Sequence, residues 1–212
     1  MTVDNQYYSY YREIEDTFLD TEKYVAIDSF NFATFSTRYN WLLQSICSEV
    51  DSIFKIITRN ACKKKYEGIS DYYIFAKEYL PMIFENTVEI PFRNIELKPF
   101  ASWVGDSSPK WWKIYNGIKH DREKKNEKGV PVYKRANLEM VLNALAGLYL
   151  LENYLIVFCE NDNNLGSRKM IDAKGKLFVC KEWKHYYQGF MGQKLFSYSE
   201  FKSWLISEGL KC

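Results

Sequence analysis

The segment from Ser108 to Tyr154, SPKWWKIYNGIKHDREKKNEKGVPVYKRANLEMVLNALAGLYLLENY, decides the fold. It reads as two helices joined by a charged connection. Ser108 suits an N-cap and Pro109 a first helical turn, because proline lacks the amide donor that would be orphaned there. Trp111, Ile114, Tyr115 and Ile118 then recur at helical spacing as an apolar stripe, while Lys113, Asn116 and His120 fall along a second, polar one. The run KHDREKKNEK is dense in charge, and Gly129 with Pro131 breaks the helix. A second helix is predicted from near Arg135.

From Ala136 to Phe158 that second helix has a wide apolar face, carried by Met140, Val141, Ala144, Leu145, Leu148, Leu151, Leu155 and Phe158. It is a core helix rather than a membrane span, since Asn143, Glu152 and Asn153 interrupt the run before about 18 continuous apolar residues accumulate. Ala144, Ala146 and Gly147 leave room for a close neighbour, either in the same chain or in a second subunit.

The whole chain has 212 residues, of which 47% are hydrophobic and 26% charged, enough to bury a sizeable core in one domain. The expected domain core spans about 36–158, with 159–212 as a C-terminal extension. A net charge of +2 gives no bulk attraction to nucleic acid, so any such contact must use local patches such as Lys63 to Lys65 or Lys124, Lys125 and Lys128. Five cysteines without C-x-x-C spacing, and only two histidines, point to reduced thiols in a cytoplasmic protein with no structural metal and no cofactor. The N-terminus has neither a basic start nor an apolar core, so no signal peptide is expected.

Outside the deciding segment, Tyr11, Ile14, Phe18 and Leu19 predict a first helix or an ordered arm, and YVAIDSFNFATFS an extended stretch before Ser36. Ser36 caps the clearest amphipathic helix, about 37–57, whose broad face is Tyr39, Leu42, Leu43, Ile46, Val50, Ile53, Phe54 and Ile57. Glu49 on that helix reads as a solvated or helix-paired carboxylate. Ser70 is expected to cap a short helix with Tyr73, Ile74, Tyr79 and Leu80 inward, stopped by Pro81. TVEIPFRNIELKPF alternates as one or two short strands or an extended excursion, MIDAKGKLFVC reads as a small hairpin, and Ser197 with Glu200 forms a capping box before a short C-terminal helix. The fold class expected is therefore mainly α, a helical bundle with minor short strands.

No phosphate-binding glycine loop and no G-x-S-x-G elbow occurs. The convergent polar set is Lys113, Asn116, Lys119, His120 and Arg122. The pattern Y-N-G-I-K-H-D-R, followed by A-N-L-x-x-V-L-N-A-L-A-G-L-Y, resembles the HEPN superfamily of small helical-bundle proteins over roughly residues 36–158. That resemblance implies a metal-independent endoribonuclease or RNA-binding module of a toxin-antitoxin or phage-defence system. It also implies a homodimer with RNA, and a protein partner such as an antitoxin, as its associates. His120 would be the acid/base group, Asn116 its helper, and Lys113, Lys119 and Arg122 the residues on the phosphate side.

The HEPN motif is R-x(4 to 6)-H near the start of a core helix, and here Lys113, Ile114 and Tyr115 occupy the positions where its arginine would fall. A guanidinium holds two phosphate oxygens and an imidazole exchanges protons near neutral pH, so the division of labour is chemically sound where both are present. With the arginine missing, a second reading is a catalytically inactive bundle that binds a partner, with Asn116 and His120 holding helices in register by hydrogen bonds to each other, to Glu49 or to the loop after Arg122. A small-molecule enzyme with a tyrosine-lined pocket is a third, with no motif behind it.

Overall fold

A computed structural model describes residues 6–62, 64–105, 107–159, 171–172, 175–190, 193–196 and 198–210. Six α-helices run in chain order: α1 Gln6–Asp20, α2 Thr37–Cys62, α3 Ile69–Tyr79, α4 Lys110–Asp121, α5 Leu138–Cys159 and α6 Tyr198–Ser207. Short strands complete a mainly helical protein, the class that the hydrophobic periodicity predicts.

The axis is α5. All residues from Ala144 to Leu155 are buried, and a helix that is apolar all round must be surrounded by the rest of its protein. Its main neighbour is α2, whose eight stripe residues from Tyr39 to Ile57 are all buried, as the spacing predicts. The small residues make room for side chains of this same chain. A Cβ on Gly147 would lie 3.2 Å from the ring of Phe100 and 3.4 Å from that of Trp111. Phe100 in turn packs on Trp103, which also meets Phe54, Tyr73 and Phe84 in one aromatic cluster.

Both helices start on short polar side chains. The Tyr39 amide donates to Ser36 Oγ at 3.0 Å, which makes Ser36 the α2 cap read from the sequence. The Met140 amide donates to Asn137 Oδ1 at 3.0 Å, so α5 begins at Leu138 rather than near Arg135. Residues Val132–Arg135 form a separate 3-10 turn, set up by Pro131, whose fixed φ suits a turn entry. The two caps lie together: the Leu138 amide donates to the carbonyl of Thr34 at 2.9 Å, and Phe35 bridges Asn137.

The core also extends beyond 36–158. From α1, Tyr11, Ile14 and Phe18 are buried in it, and so are Leu177, Phe178, Trp183, Leu205 and Leu210. Glu15, fully buried, holds these distant parts together. It accepts from Tyr11 Oη at 2.9 Å and from the amides of Lys176 at 2.9 Å and Leu177 at 3.1 Å.

Strands β1 (Val88–Ile90) and β2 (Ile95–Leu97) pair antiparallel, with Val88 opposite Leu97 and Ile90 opposite Ile95. The 87–100 segment thus carries two short strands, and they pair as a hairpin. The hairpin expected within MIDAKGKLFVC does not form. Its first run, β3 (Ile171–Asp172), pairs with β6 (Gln193–Phe196), which also pairs with β5 (Tyr187–Phe190). Its second run, β4 (Val179–Cys180), joins the free edge of β1 instead. The capture of two amides by Glu15 turns the chain toward β1, a tertiary effect that local patterning does not encode. The expected capping box lies partly outside the described residues, at Ser197, although the helix after it is present.

Two local expectations are corrected. The 24–36 stretch is not extended: it makes a 3-10 turn at Ser29–Asn31, because Asp28 Oδ1 accepts the Phe30 amide at 2.9 Å and closes a local turn. In α3 the helix starts after Gly68, so Ser70 lies inside it, and Tyr72, Phe75 and Ala76 face inward while Ile74 is exposed. The face is rotated by one residue from the one expected, since Phe54 and Trp103 recruit the rings of Tyr72 and Tyr73 from two sides.

Candidate functional site at the end of α4

Its tryptophans hold α4 in place. Trp111, Trp112, Ile114 and Ile118 are buried, and Trp111 Nε1 donates to the carbonyl of Pro99 at 2.8 Å. Pro109 is itself the N-cap residue, not the first helical one, and Ser108 gives no side-chain cap. The cap comes from upstream, where Ser102 Oγ accepts the Lys110 amide at 3.3 Å.

With that face buried, the polar stripe points outward but is divided. Near the helix start, Lys113 Nζ donates to Ser107 Oγ at 2.6 Å and is held against the preceding loop. At the other end, Asn116 is half-buried and Lys119, His120 and Arg122 are exposed. Neither Asn116 nor His120 uses its side chain in a hydrogen bond with the other or with any described residue, Glu49 included. Among the described residues the pair therefore makes no side-chain hydrogen bond that would hold helices in register. Lys119 lies 6.0 Å from the ring of Tyr115. Cations at this end also complement the partial negative charge of a helix C-terminus.

The flank of α4 that meets α2 carries perturbed groups. Burial raises the Tyr115 hydroxyl above its ordinary value, with smaller contributions from Cys47 and Asp51 on α2. Asp51 accepts from Tyr72 Oη at 2.8 Å and pairs with Lys55 at 2.5 Å. Glu49 is neither fully solvated nor paired. It is half-buried, and desolvation alone raises its carboxyl above the usual range.

After α4 the chain turns back on itself. Asn126 Oδ1 accepts the amides of Lys128 and Val130 at 3.0 and 2.9 Å, and Gly129 takes a φ of +72° at the bend. The Val132 amide then donates to the carbonyl of Lys124 at 2.9 Å, and that of Tyr133 to the carbonyl of Arg122 at 3.3 Å. Arg122 and Tyr133 are thereby brought side by side at the start of α2. Together with Phe35, Ser36, Thr37, Asn40, Trp41, Gln44 and Glu123 they line a cleft of about 400 Å³.

This cleft was not read from the sequence, apart from Arg122. Its traces there are Trp41, an aromatic residue off the buried stripe of α2, and Arg38 one turn before it. A second cavity of about 410 Å³, lined among others by Thr17, Asp20, Val25, Arg38 and Tyr39, lies between α1 and α2. The Tyr39 hydroxyl, buried there, has no hydrogen-bond partner among the described residues.

The other chemistry-bearing residues are dispersed. Cys47, Cys62 and Cys180 are free thiols, and burial pushes those of Cys47 and Cys180 up. Among the described residues no group of three or more His, Cys, Asp or Glu side chains is placed to hold a metal ion, and no helix is long and apolar enough to cross a membrane. No family model matches this chain, and no curated protein and no solved structure matches it either.

Proposed function

We propose that this chain is an HEPN-like RNA-processing module that cleaves single-stranded RNA without a metal at the exposed end of α4. The observation that supports this reading is His120 itself, exposed, with its side chain in no hydrogen bond to a described residue, and flanked by Lys119 and Arg122. In the proposed reaction the imidazole accepts the proton of a ribose 2′-hydroxyl, and that oxygen attacks the neighbouring phosphorus. The bond from phosphorus to the 5′-oxygen breaks, leaving a 2′,3′-cyclic phosphate. The departing oxygen takes a proton from an imidazolium, supplied by a second copy in a homodimer. Arg122 and Lys119 offset the charge on the phosphate oxygens, and the Asn116 amide donates to one of them. Lys113, tied to Ser107, stands apart from this set.

The test is cleavage of mixed-sequence single-stranded RNA in EDTA by the wild type, His120→Ala and Asn116→Ala, with melting curves showing equal folding. General acid/base loss predicts a fall of at least about 100-fold for His120→Ala. Equal cleavage by wild type and His120→Ala removes His120 from the chemistry, and an inert wild type ends the ribonuclease reading.

One observation favours a second reading, a catalytically inactive bundle that binds a protein partner. The one cation among the three positions where the arginine of the HEPN motif would fall is Lys113, and it is engaged with the loop. An inert wild type that forms a stoichiometric complex with a co-expressed neighbouring gene product, such as an antitoxin, would establish that alternative.

A further inference from the structure

We infer that the cleft between the start of α2 and the end of α4 is a nucleotide subsite, which takes one base of a single-stranded RNA between aromatic rings and its phosphate on Arg122. The inference rests on the RNA-processing reading and names the site that would position the strand beside His120, two residues before Arg122.

Aromatic rings and cations alternate around the cleft. Trp41, 48% exposed, carries the Arg38 guanidinium 4.6 Å from its ring centroid. Phe35, 47% exposed, and Tyr133 have the Lys134 ammonium at 5.8 and 6.0 Å. A ring with a cation against it is a stacking platform whose other face suits a nucleobase, and sequence-tolerant binding of single strands is built from such rings in a basic groove. Cleft volume, about 400 Å³, falls within the range of small-ligand sites.

Polar groups follow the same pattern. Gln44 Nε2 donates to Asn40 Oδ1 at 2.9 Å, an arrangement that leaves the Asn40 amide hydrogens and the Gln44 carbonyl for a base edge. Arg122 is in no ion pair with a described residue, and its planar guanidinium matches two phosphate oxygens. Glu123 is the one acid among the lining residues. Arg122 is the one cation among them, and two more, Arg38 and Lys134, lie against the lining rings of Trp41 and of Phe35 and Tyr133, so cations outnumber that acid around the rings and favour an anionic strand. A patch built only for an acidic peptide would not require an unpaired amide edge between rings.

The experiment measures binding of a fluorescein-labelled single-stranded RNA 10-mer by anisotropy, beside an abasic strand of equal length, with 2′-O-methyl groups in both to block cleavage. Trp41→Ala is expected to weaken RNA binding about tenfold, and Trp41→Phe to restore most of it. Arg122→Ala should weaken RNA and abasic strand alike and lower the salt dependence by about one counterion. Abasic strand bound as tightly as RNA, or RNA binding unchanged in both Trp41→Ala and Arg122→Ala, overturns the inference. An acidic peptide that binds with the same Trp41 dependence, where RNA does not bind, also overturns it. The two readings fail separately: His120-dependent cleavage with no Trp41 effect removes the cleft alone, whereas Trp41-dependent binding by a protein that cleaves nothing removes the chemistry alone.

Discussion

Gly117 on α4 faces Val132 so closely that a Cβ at position 117 would lie 2.7 Å from Val132 Cγ2. The missing side chain lets the chain after the charged connection pack directly on the helix that carries His120. Val132 is buried there, and its neighbour Tyr133 is hydrogen-bonded to Arg122. Glycine inside a helix is otherwise unfavourable, so this contact gives it a reason.

Gly117→Ala is therefore expected to destabilise the protein by about 1–3 kcal/mol, through overpacking against a β-branched side chain that has little freedom to move. Val132→Ala in the same chain should recover part of that loss, because it removes the methyl groups that clash. Urea unfolding of the two single variants and the double variant measures the coupling. Simple additivity would show that the contact is not the cause.

The link from Glu15 to the 176–177 amides is expected to control how the C-terminal region is held. Gly175 takes a φ of +109°, and a Cβ there would meet Tyr11 Oη at 2.5 Å and Glu15 Oε1 at 2.7 Å. Gly175→Ala thus faces both backbone strain and a clash with a polar pair. Glu15→Ala leaves a buried amide at Leu177, a part-buried one at Lys176 and a buried tyrosine hydroxyl without their acceptor, at a cost on the order of 3 kcal/mol. Both variants should be cut by protease after residue 159 under conditions where the wild type survives. Unchanged digestion of both would show that this contact does not anchor the region.

Two carboxylates should respond to pH in opposite directions. Burial pushes Glu182 up, but hydrogen bonds from Cys180 Sγ at 3.1 Å and from the Thr87 amide at 3.0 Å outweigh it, so the carboxyl lies below its ordinary value of 4.5. Its folded value is depressed, hence its stabilisation is present above pH 4.5 and is lost as pH falls through that lower folded value. For Glu49 the charged form is penalised instead, which lowers stability at neutral pH and is relieved as pH falls through its raised folded value. Glu182→Gln should lower the urea midpoint at pH 7, with the gap to wild type closing below pH 4.5. Glu49→Gln should raise the midpoint at pH 7, with its gap closing as the pH falls toward 4.5. Parallel pH profiles for the two variants would contradict these environments.

What the sequence determined by itself was the two longest helices, α2 and α5, and the surface each one buries. In α2 the eight stripe residues are all in the core, and in α5 the apolar composition already requires enclosure, because such a surface is costly to leave in water. The outward direction of the Asn116 and His120 stripe follows as well, since Trp111, Ile114 and Ile118 claim the other face of the same short helix.

Only the tertiary structure decided which polar residues share a site. The cleft joins Trp41 and Asn40 of α2 to Arg122 at the start of the charged connection and Tyr133 beyond its end, through the packing of Val132 on Gly117 and the meeting of the Ser36 and Asn137 caps. The partners of β3 and β4 were likewise hidden, because strands of two residues carry too little pattern to select a neighbour, and a buried carboxylate on α1 makes the choice. Periodicity records how far each residue is to be buried; which distant residue it meets depends on contacts between elements, and no local spacing encodes those.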